Sequence, residues 1–200
     1  TVKDVKDAKR LVERAKKEPM RLNFTRLGPK ENLKVKIFTD ASFSNQDCKL
    51  RSTEGWVLLL ENEKTEKVNI FSWKTKKIAR ICRSVKGAET RALENGLDEA
   101  VHYARMVHEI YSGKVNLRQP QQLKVQAKTD NKSLWESLHN TRQCEEKLLR
   151  NSIALMKEMM DCKEIDSIDW VDTSSMLADT LTKRGGNSSW IRSVIAENVL

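Results

Sequence analysis

Long hydrophobic stretches are missing from this sequence. Its apolar runs, such as Trp56 to Leu60, fall far short of the about 20 residues that a membrane-spanning helix needs. The first residues show neither the charged-then-apolar pattern of a signal peptide nor an initiator Met. We therefore expect an excised piece of a longer chain, with no membrane association and no export signal.

Cysteine is also scarce, and its spacing excludes the usual metal motifs. The chain has four cysteines, with no C-x-x-C pair and no Cys/His cluster of zinc-site spacing. They are Cys48, Cys82, Cys144 and Cys162. We expect reduced, partly buried thiols, as in an intracellular protein.

Only three prolines interrupt the 200 residues, and two of them, Pro19 and Pro29, fall before residue 30. Proline ends helices and marks turns. The cluster therefore predicts a boundary between a flanking segment, 1–30, and a main domain, 31–200. The sequence has no internal repeat and no low-complexity tract.

Basic residues outnumber acidic ones. There are 37 Lys and Arg against 28 Asp and Glu, a formal net charge of +9. The excess is spread along the chain, which indicates a charged face on a folded body. It favours an anionic partner, with nucleic acid first and an acidic membrane surface second.

Hydrophobic periodicity predicts an α/β protein. Helical spacing or strand alternation marks each segment. In chain order the predicted elements are a helix at 2–17, a short strand at 22–27, strands at 33–40, 55–60 and 68–73, a helix at 86–111, a strand at 123–129, helices from 133 and at 145–161, a strand at 165–171, a helical segment at 176–183 and a closing helix. Three consecutive strands followed by helical crossovers predict a mixed five-stranded sheet, antiparallel first and then with parallel additions, flanked by helices.

Four acidic residues lie at the ends of four of these elements. Asp40 and Asp130 end strands, Glu89 lies in the first turn of the long helix, and Asp179 lies near the start of a later helix. Each has an ordinary explanation in turn chemistry or in the helix dipole. Converging carboxylates repel one another, however, and oxygen ligands select hard ions such as Mg²⁺ or Mn²⁺. Together they predict a metal site.

The residues around the four acids resemble the RNase H domain of retroelements in order and spacing. The matching segments are Thr39-Asp40-Ala41-Ser42, Ala88-Glu89-Thr90-Arg91-Ala92-Leu93, Thr129-Asp130-Asn131-Lys132-Ser133-Leu134, and Trp170-Val171 followed by 177–183. The stretches 70–77 and 178–183 look like the copia class of LTR retrotransposon. Residues 1–30 resemble the segment that links reverse transcriptase to RNase H in that class.

The resemblance implies an RNase H-like fold and an endoribonuclease that cuts the RNA strand of RNA–DNA hybrids. One Mg²⁺ ion would bind Asp40 and Asp179 and prepare the attacking water. A second would bind Asp40, Glu89 and Asp130 and stabilise the leaving 3′ oxygen. The expected products carry a 5′-phosphate and a 3′-hydroxyl. The expected partners are the hybrid and the upstream reverse transcriptase of the same polyprotein, in a cytoplasmic virus-like particle or in the nucleus.

One feature of the family is missing. Cellular and retroviral relatives usually carry a His in the loop before the last catalytic Asp, whereas the connection Asp172 to Met176 has none. His102, His108 and His139 are expected to be surface or packing residues. Product release is then expected to be slower than in those relatives.

Residues beside the acids are candidates for substrate binding. Thr90 and Asn131 are predicted to hydrogen-bond the sugar-phosphate backbone of the hybrid. Lys183, one helical turn after Asp179, would steady the phosphate or limit metal loading, or it is simply a solvated lysine. Four tryptophans are assigned to the core: Trp56, Trp73, Trp135 and Trp170.

Two other interpretations remain. The domain could be a non-catalytic RNase H-like tether or nucleic-acid-binding module, of which the loss of catalytic acids would be the mark. It could also be a DNA-directed nuclease of the same superfold, such as an integrase. Those enzymes use three acids, and the sequence contexts of Asp130 and Asp179 argue against that class.

Overall fold

A computed structural model of the chain describes residues 2–19, 21–43, 51–113, 123–141, 144–183 and 188–200. The strands are β1 (Leu33–Ser42), β2 (Thr53–Asn62), β3 (Val68–Lys77), β4 (Lys124–Thr129) and β5 (Ser167–Trp170). The helices are α1 (Val2–Lys17), α2 (Val85–Ser112), α3 (Lys132–His139), α4 (Arg150–Asp161), α5 (Asp179–Thr182) and α6 (Ser189–Glu197). None of the described helices is long and apolar enough to span a membrane.

The five strands form one mixed sheet in the order β3-β2-β1-β4-β5. β1 pairs antiparallel with β2, and β2 with β3, whereas β4 and β5 are added in parallel. This arrangement confirms the predicted fold class. The C-terminal ends of β1 and β4 therefore meet at the same edge of the sheet.

The two faces of the sheet carry separate hydrophobic clusters because side chains alternate along a strand. Val35 and Ile37 point to the face that α2 and α4 cover. Phe38 points to the opposite face, against residues of α6 and of the segment before α5. Helices thus flank both sides of the sheet, as predicted.

Local sequence signals set the limits of the long helix α2. The Ser84 side chain accepts a hydrogen bond from the Gly87 amide at 2.9 Å, which caps its N-terminus. Gly113 ends the helix in the left-handed conformation, at φ 64°, which favours glycine. Inside the helix, a β-carbon at Gly96 would lie 2.6 Å from the Thr39 Cγ2 atom. Glycine therefore lets α2 approach β1 closely, two turns after Glu89.

Two sequence predictions about the fold are wrong. Residues 22–27 form no strand, because the Thr25 backbone pairs instead with the Asn69 side chain, through two hydrogen bonds of 2.9 Å. Trp73 and Trp170 are not core residues, since 53% and 43% of their surfaces are exposed. Trp73 lies on the edge strand β3, and Trp170 is the last residue of β5. Trp56 is buried as predicted, and Trp135 is partly buried.

The cysteine prediction holds in part. Cys144 is buried and Cys82 is partly buried, but Cys162 is exposed. All three are free thiols. Cys48 lies outside the described residues.

Candidate metal centre

Asp40 lies at the base of the candidate centre. It is in β1, two residues before the strand ends, and its side chain is almost fully buried. The Thr182 hydroxyl donates to its Oδ2 atom. Burial raises the pKa of the Asp40 carboxyl, and Asp130 and Asp179 raise it further, against the opposing effects of Thr182 and Lys183. The fold therefore holds a carboxylate where its charge is unfavourable without a cation.

Asp130 and Asp179 converge on Asp40 from two further elements. Asp130 follows β4 directly, and the parallel pairing of β4 with β1 brings it beside Asp40. Asp179 is the first residue of α5. One carboxylate oxygen from each of the three residues lies within 4.8 Å of the others. Asp130 and Asp179 are partly exposed, so the centre is open to solvent on their side.

Glu89 adds a fourth carboxylate, next to Asp40 and Asp130. Its side chain is buried, and its Oε1 atom accepts a hydrogen bond from the Ala41 amide at 3.2 Å. Its Oε2 atom is buried and has no hydrogen-bond partner within the described part of the chain. Burial, together with the charges of Asp40 and Asp130, raises the pKa of Glu89 to about 9. An unpaired buried carboxylate oxygen is costly, and a bound cation would satisfy it.

Lys183 supplies positive charge at the open side of the centre. Its ammonium group contacts the Asp179 carboxylate and lies 4.0 Å from Asp40 Oδ1. A single lysine cannot balance four carboxylates. The all-oxygen donor set fits a hard divalent ion such as Mg²⁺ or Mn²⁺. The residues present therefore fit the metal that the sequence predicts.

Two neighbours hold Asp130 in place. The Thr173 hydroxyl donates to Asp130 Oδ2 at 2.9 Å, and the Trp170 indole donates to the Asp130 carbonyl at 2.9 Å. Thr173 belongs to a 3₁₀ turn in the connection Asp172 to Met176, which contains no His. The three histidines lie elsewhere, in α2 and at the end of α3.

The candidate substrate residues differ in accessibility. Thr90 is fully buried, and its hydroxyl donates to the Lys86 carbonyl at 2.7 Å, which argues against the predicted contact with a nucleic-acid backbone. Asn131 is partly exposed, and its side-chain oxygen accepts from the Leu134 amide at 2.9 Å as the N-cap of α3. Its amide group can still face a ligand. Lys183 is exposed at the mouth of the centre.

Thr182 and Trp170 are site residues that the sequence reasoning missed. Thr182 follows Asp179 by three residues, so helical geometry places both on one face. That spacing was an available signal. The contact between Trp170 and Asp130 depends on the pairing of β4 with β5, and no local pattern indicates it.

Comparison with solved structures identifies the fold. No known family model and no curated protein matches the sequence. RNase H1 from the archaeon Halobacterium salinarum NRC-1 matches with a TM-score of 0.52 and 18% identity, over 74% of this chain and 93% of that one. LC11-RNase H1, solved with an RNA/DNA hybrid, matches with a TM-score of 0.50 and 16% identity, over 74% and 93%.

A third solved structure gives the same result. The N-terminal RNase H domain of a Mycobacterium tuberculosis protein matches with a TM-score of 0.50 and 17% identity, over 82% of this chain and 99% of that one. At these identities the similarity is one of fold. The chain therefore has the RNase H fold, with its four candidate acids gathered at the edge where β1 and β4 end.

Proposed function

We propose that the chain is an endoribonuclease that hydrolyses the RNA strand of RNA–DNA hybrids. The observation that carries this proposal is the convergence of Asp40, Asp130 and Asp179, with the buried Glu89 beside them. In the proposed mechanism Asp40 and Asp179 would hold one divalent ion, and Asp40, Glu89 and Asp130 would hold a second. Two such ions, Mg²⁺ or Mn²⁺, would supply Lewis-acid stabilisation of the attacking water and of the leaving 3′ oxygen.

The protein side chains supply the geometry of this reaction. Asp40 and Glu89 form the buried base, whereas Asp130 and Asp179 face the open side, where a polymer can enter. Thr173 and Thr182 restrain Asp130 and Asp40 through their hydroxyl groups. Lys183 and Asn131 are the accessible groups for the sugar-phosphate backbone. The products would carry a 5′-phosphate and a 3′-hydroxyl.

The proposed biological context is a retrotransposon polyprotein of the copia class. Its support is the ordered set of sequence motifs, above all 70–77 and 178–183. In this proposal residues 1–30 connect the RNase H domain, 31–200, to the upstream reverse transcriptase, and the enzyme degrades genomic RNA in a cytoplasmic virus-like particle or in the nucleus. A non-catalytic tether is less favoured because it has no need of four converging acids.

The test is Mg²⁺-dependent cleavage of a labelled RNA–DNA hybrid, beside double-stranded RNA and double-stranded DNA. We expect cleavage of the hybrid alone, and its loss in Asp40→Asn. Asp169→Asn is the matched control, since this carboxylate binds Lys128 and Gln126 and does not belong to the cluster of acids. Equal cleavage by Asp40→Asn and the wild type would refute the proposal. Equal cleavage of all three duplexes would refute the substrate class.

A further inference from the structure

The helix α5 lies across three strands at the candidate centre. The residues Asp40 of β1, Gly55 of β2 and Thr75 of β3 are paired in a row across the sheet. α5 spans only Asp179–Thr182, and a helix of one turn has little stability of its own. Its position, and that of Asp179, therefore depends on contacts with this row.

Because Gly55 has no side chain, α5 can lie close to β2. A β-carbon at position 55 would lie 2.8 Å from the Thr182 Cγ2 atom and 3.1 Å from the Leu181 Cβ atom. The first distance is shorter than any ordinary carbon–carbon contact. A residue other than glycine would push α5 away from the sheet.

Two hydroxyl groups tie α5 to the strands on either side of Gly55. The Thr182 hydroxyl donates to Asp40 Oδ2, and the Thr75 hydroxyl donates to the Leu181 carbonyl at 2.9 Å. Thr182 is buried, so its hydrogen bond is sheltered from water and correspondingly strong. One bond holds α5 to β1 and the other holds it to β3, the two neighbours of β2.

We propose that Thr182 is a positioning residue for the metal centre, acting with Gly55. Its hydroxyl fixes the orientation of the Asp40 carboxylate, and the absence of a side chain at Gly55 lets α5 lie close enough to the sheet for this bond. Both effects keep Asp179 within reach of Asp40. The inference rests on the proposed function, because it concerns the metal that the four acids would hold.

The first test separates the hydroxyl from the methyl group. Thr182→Val keeps the shape and removes the donor, whereas Thr182→Ser keeps the donor and removes the methyl. We expect Thr182→Val to weaken Mn²⁺ binding about 10- to 100-fold, as is typical when a group that orients a ligand is lost. Thr182→Ser should bind Mn²⁺ close to the wild-type affinity. Mn²⁺ binding is measured by electron paramagnetic resonance, without substrate.

The second test uses Gly55. Gly55→Ala should weaken Mn²⁺ binding because its β-carbon meets the Thr182 methyl. Adding Thr182→Ser removes that methyl and should restore part of the affinity, so the two changes should be non-additive. The contact with Leu181 remains, which keeps the recovery incomplete. Thr180→Val is the matched control for Thr182→Val and should leave Mn²⁺ binding unchanged. Thr180 lies on the same turn, but its hydroxyl donates to the Leu177 carbonyl and not to Asp40.

The outcomes distinguish this inference from the proposed function. Suppose that the wild type cleaves the hybrid and that a folded Thr182→Val variant binds Mn²⁺ as tightly as the wild type. This result would overturn the role of Thr182 but not the proposed function. If Thr182→Val does not fold, strictly additive effects of Gly55→Ala and Thr182→Ser would overturn it instead. Absence of Mn²⁺ binding and of cleavage in the wild type would overturn both.

Discussion

At the scale of single residues, folding places Glu89 where its charged form is unfavourable. Its pKa rises from an ordinary 4.5 to about 9 in the absence of metal. The native state therefore binds this proton more tightly than the unfolded state. The corresponding stability is fully present below about pH 4.5 and is lost as the pH rises through about 9. The raised pKa of Asp40 acts in the same direction.

We predict that Glu89→Gln stabilises the metal-free protein near neutral pH. Glutamine resembles the protonated carboxyl in shape and requires no proton uptake on folding. The gain near pH 7 should be on the order of 3 kcal/mol, and the pH dependence should be shallower. Urea unfolding with a chelator between pH 5 and 9 measures this. Parallel pH curves for the two proteins would contradict it.

The same protonation predicts how metal binding varies with pH. Metal ligands must be ionised, so binding at Glu89 and Asp40 should release protons, and affinity should rise with pH. Calorimetric titration with Mg²⁺ in buffers of different ionisation enthalpy measures the protons released. The release should fall in Glu89→Gln. A heat that is independent of the buffer would contradict this prediction.

Thr173 lies in the connection before Asp179, which contains no histidine. Its hydroxyl donates to Asp130, but a hydroxyl titrates too far from neutral pH to serve as a general base. Its bond to Asp130 is also exposed to water, unlike the buried bond from Thr182 to Asp40, so it restrains the carboxylate less. Thr173→Ala should therefore lower the cleavage rate only slightly, whereas Asp179→Asn should remove most of it and Lys183→Ala should fall between. Cleavage rates across Mg²⁺ concentrations compare the three. An equal loss in Thr173→Ala and Asp179→Asn would show a catalytic role for the turn.

At the scale of elements, the order of helices and strands could be predicted because those that form the core bury one regular face. The alternation from Lys34 to Ile37 and the helical spacing within 86–111 both have direct counterparts in β1 and α2. Interactions between distant residues were not predictable. The Asn69 side chain replaces a strand partner at Thr25, and the edge position of β3 leaves Trp73 exposed.

In the candidate site, too, local patterns could be predicted, whereas contacts between distant residues could not. All four acids could be named because each lies at or near the end of an element and in a recognisable motif, although Glu89 lies just beyond the first turn of α2, where it was predicted. The burial of Thr90 depends on how α2 packs on the sheet. The spacing from Asp179 to Thr182 could place Thr182 near the site, but its bond to Asp40 joins residues 142 positions apart, and local sequence does not indicate that pairing.

The N-terminal helix α1 should contribute little to the stability of the domain. None of its residues is buried, and Arg192 reaches the neighbouring Glu18 at 3.4 Å in an exposed ion pair. Removing residues 1–17 should change the free energy of unfolding by less than about 1 kcal/mol. Removing α6, which buries Val194 and Ile195, is the control and should cost several-fold more. Similar losses in the two truncations would contradict this assignment.

At the scale of the whole molecule, charge has two opposing roles. The four acids repel phosphate at close range, whereas the net charge of +9 attracts a nucleic acid from a distance. Part of this charge lies in α1, which carries seven Lys and Arg against three Asp and Glu. Its exposure leaves these side chains accessible to a phosphate backbone.

We predict that affinity for an RNA–DNA hybrid falls steeply with salt. Each phosphate contact made by Lys or Arg releases counterions, so the logarithm of the affinity should decline linearly with that of the salt concentration. Binding is measured with Asp40→Asn, which leaves the hybrid uncut, between about 50 and 200 mM salt. Removing residues 1–17 should make the slope shallower, since α1 carries seven accessible Lys and Arg. An unchanged slope would confine binding to the main domain. An affinity independent of salt would contradict a basic binding surface altogether.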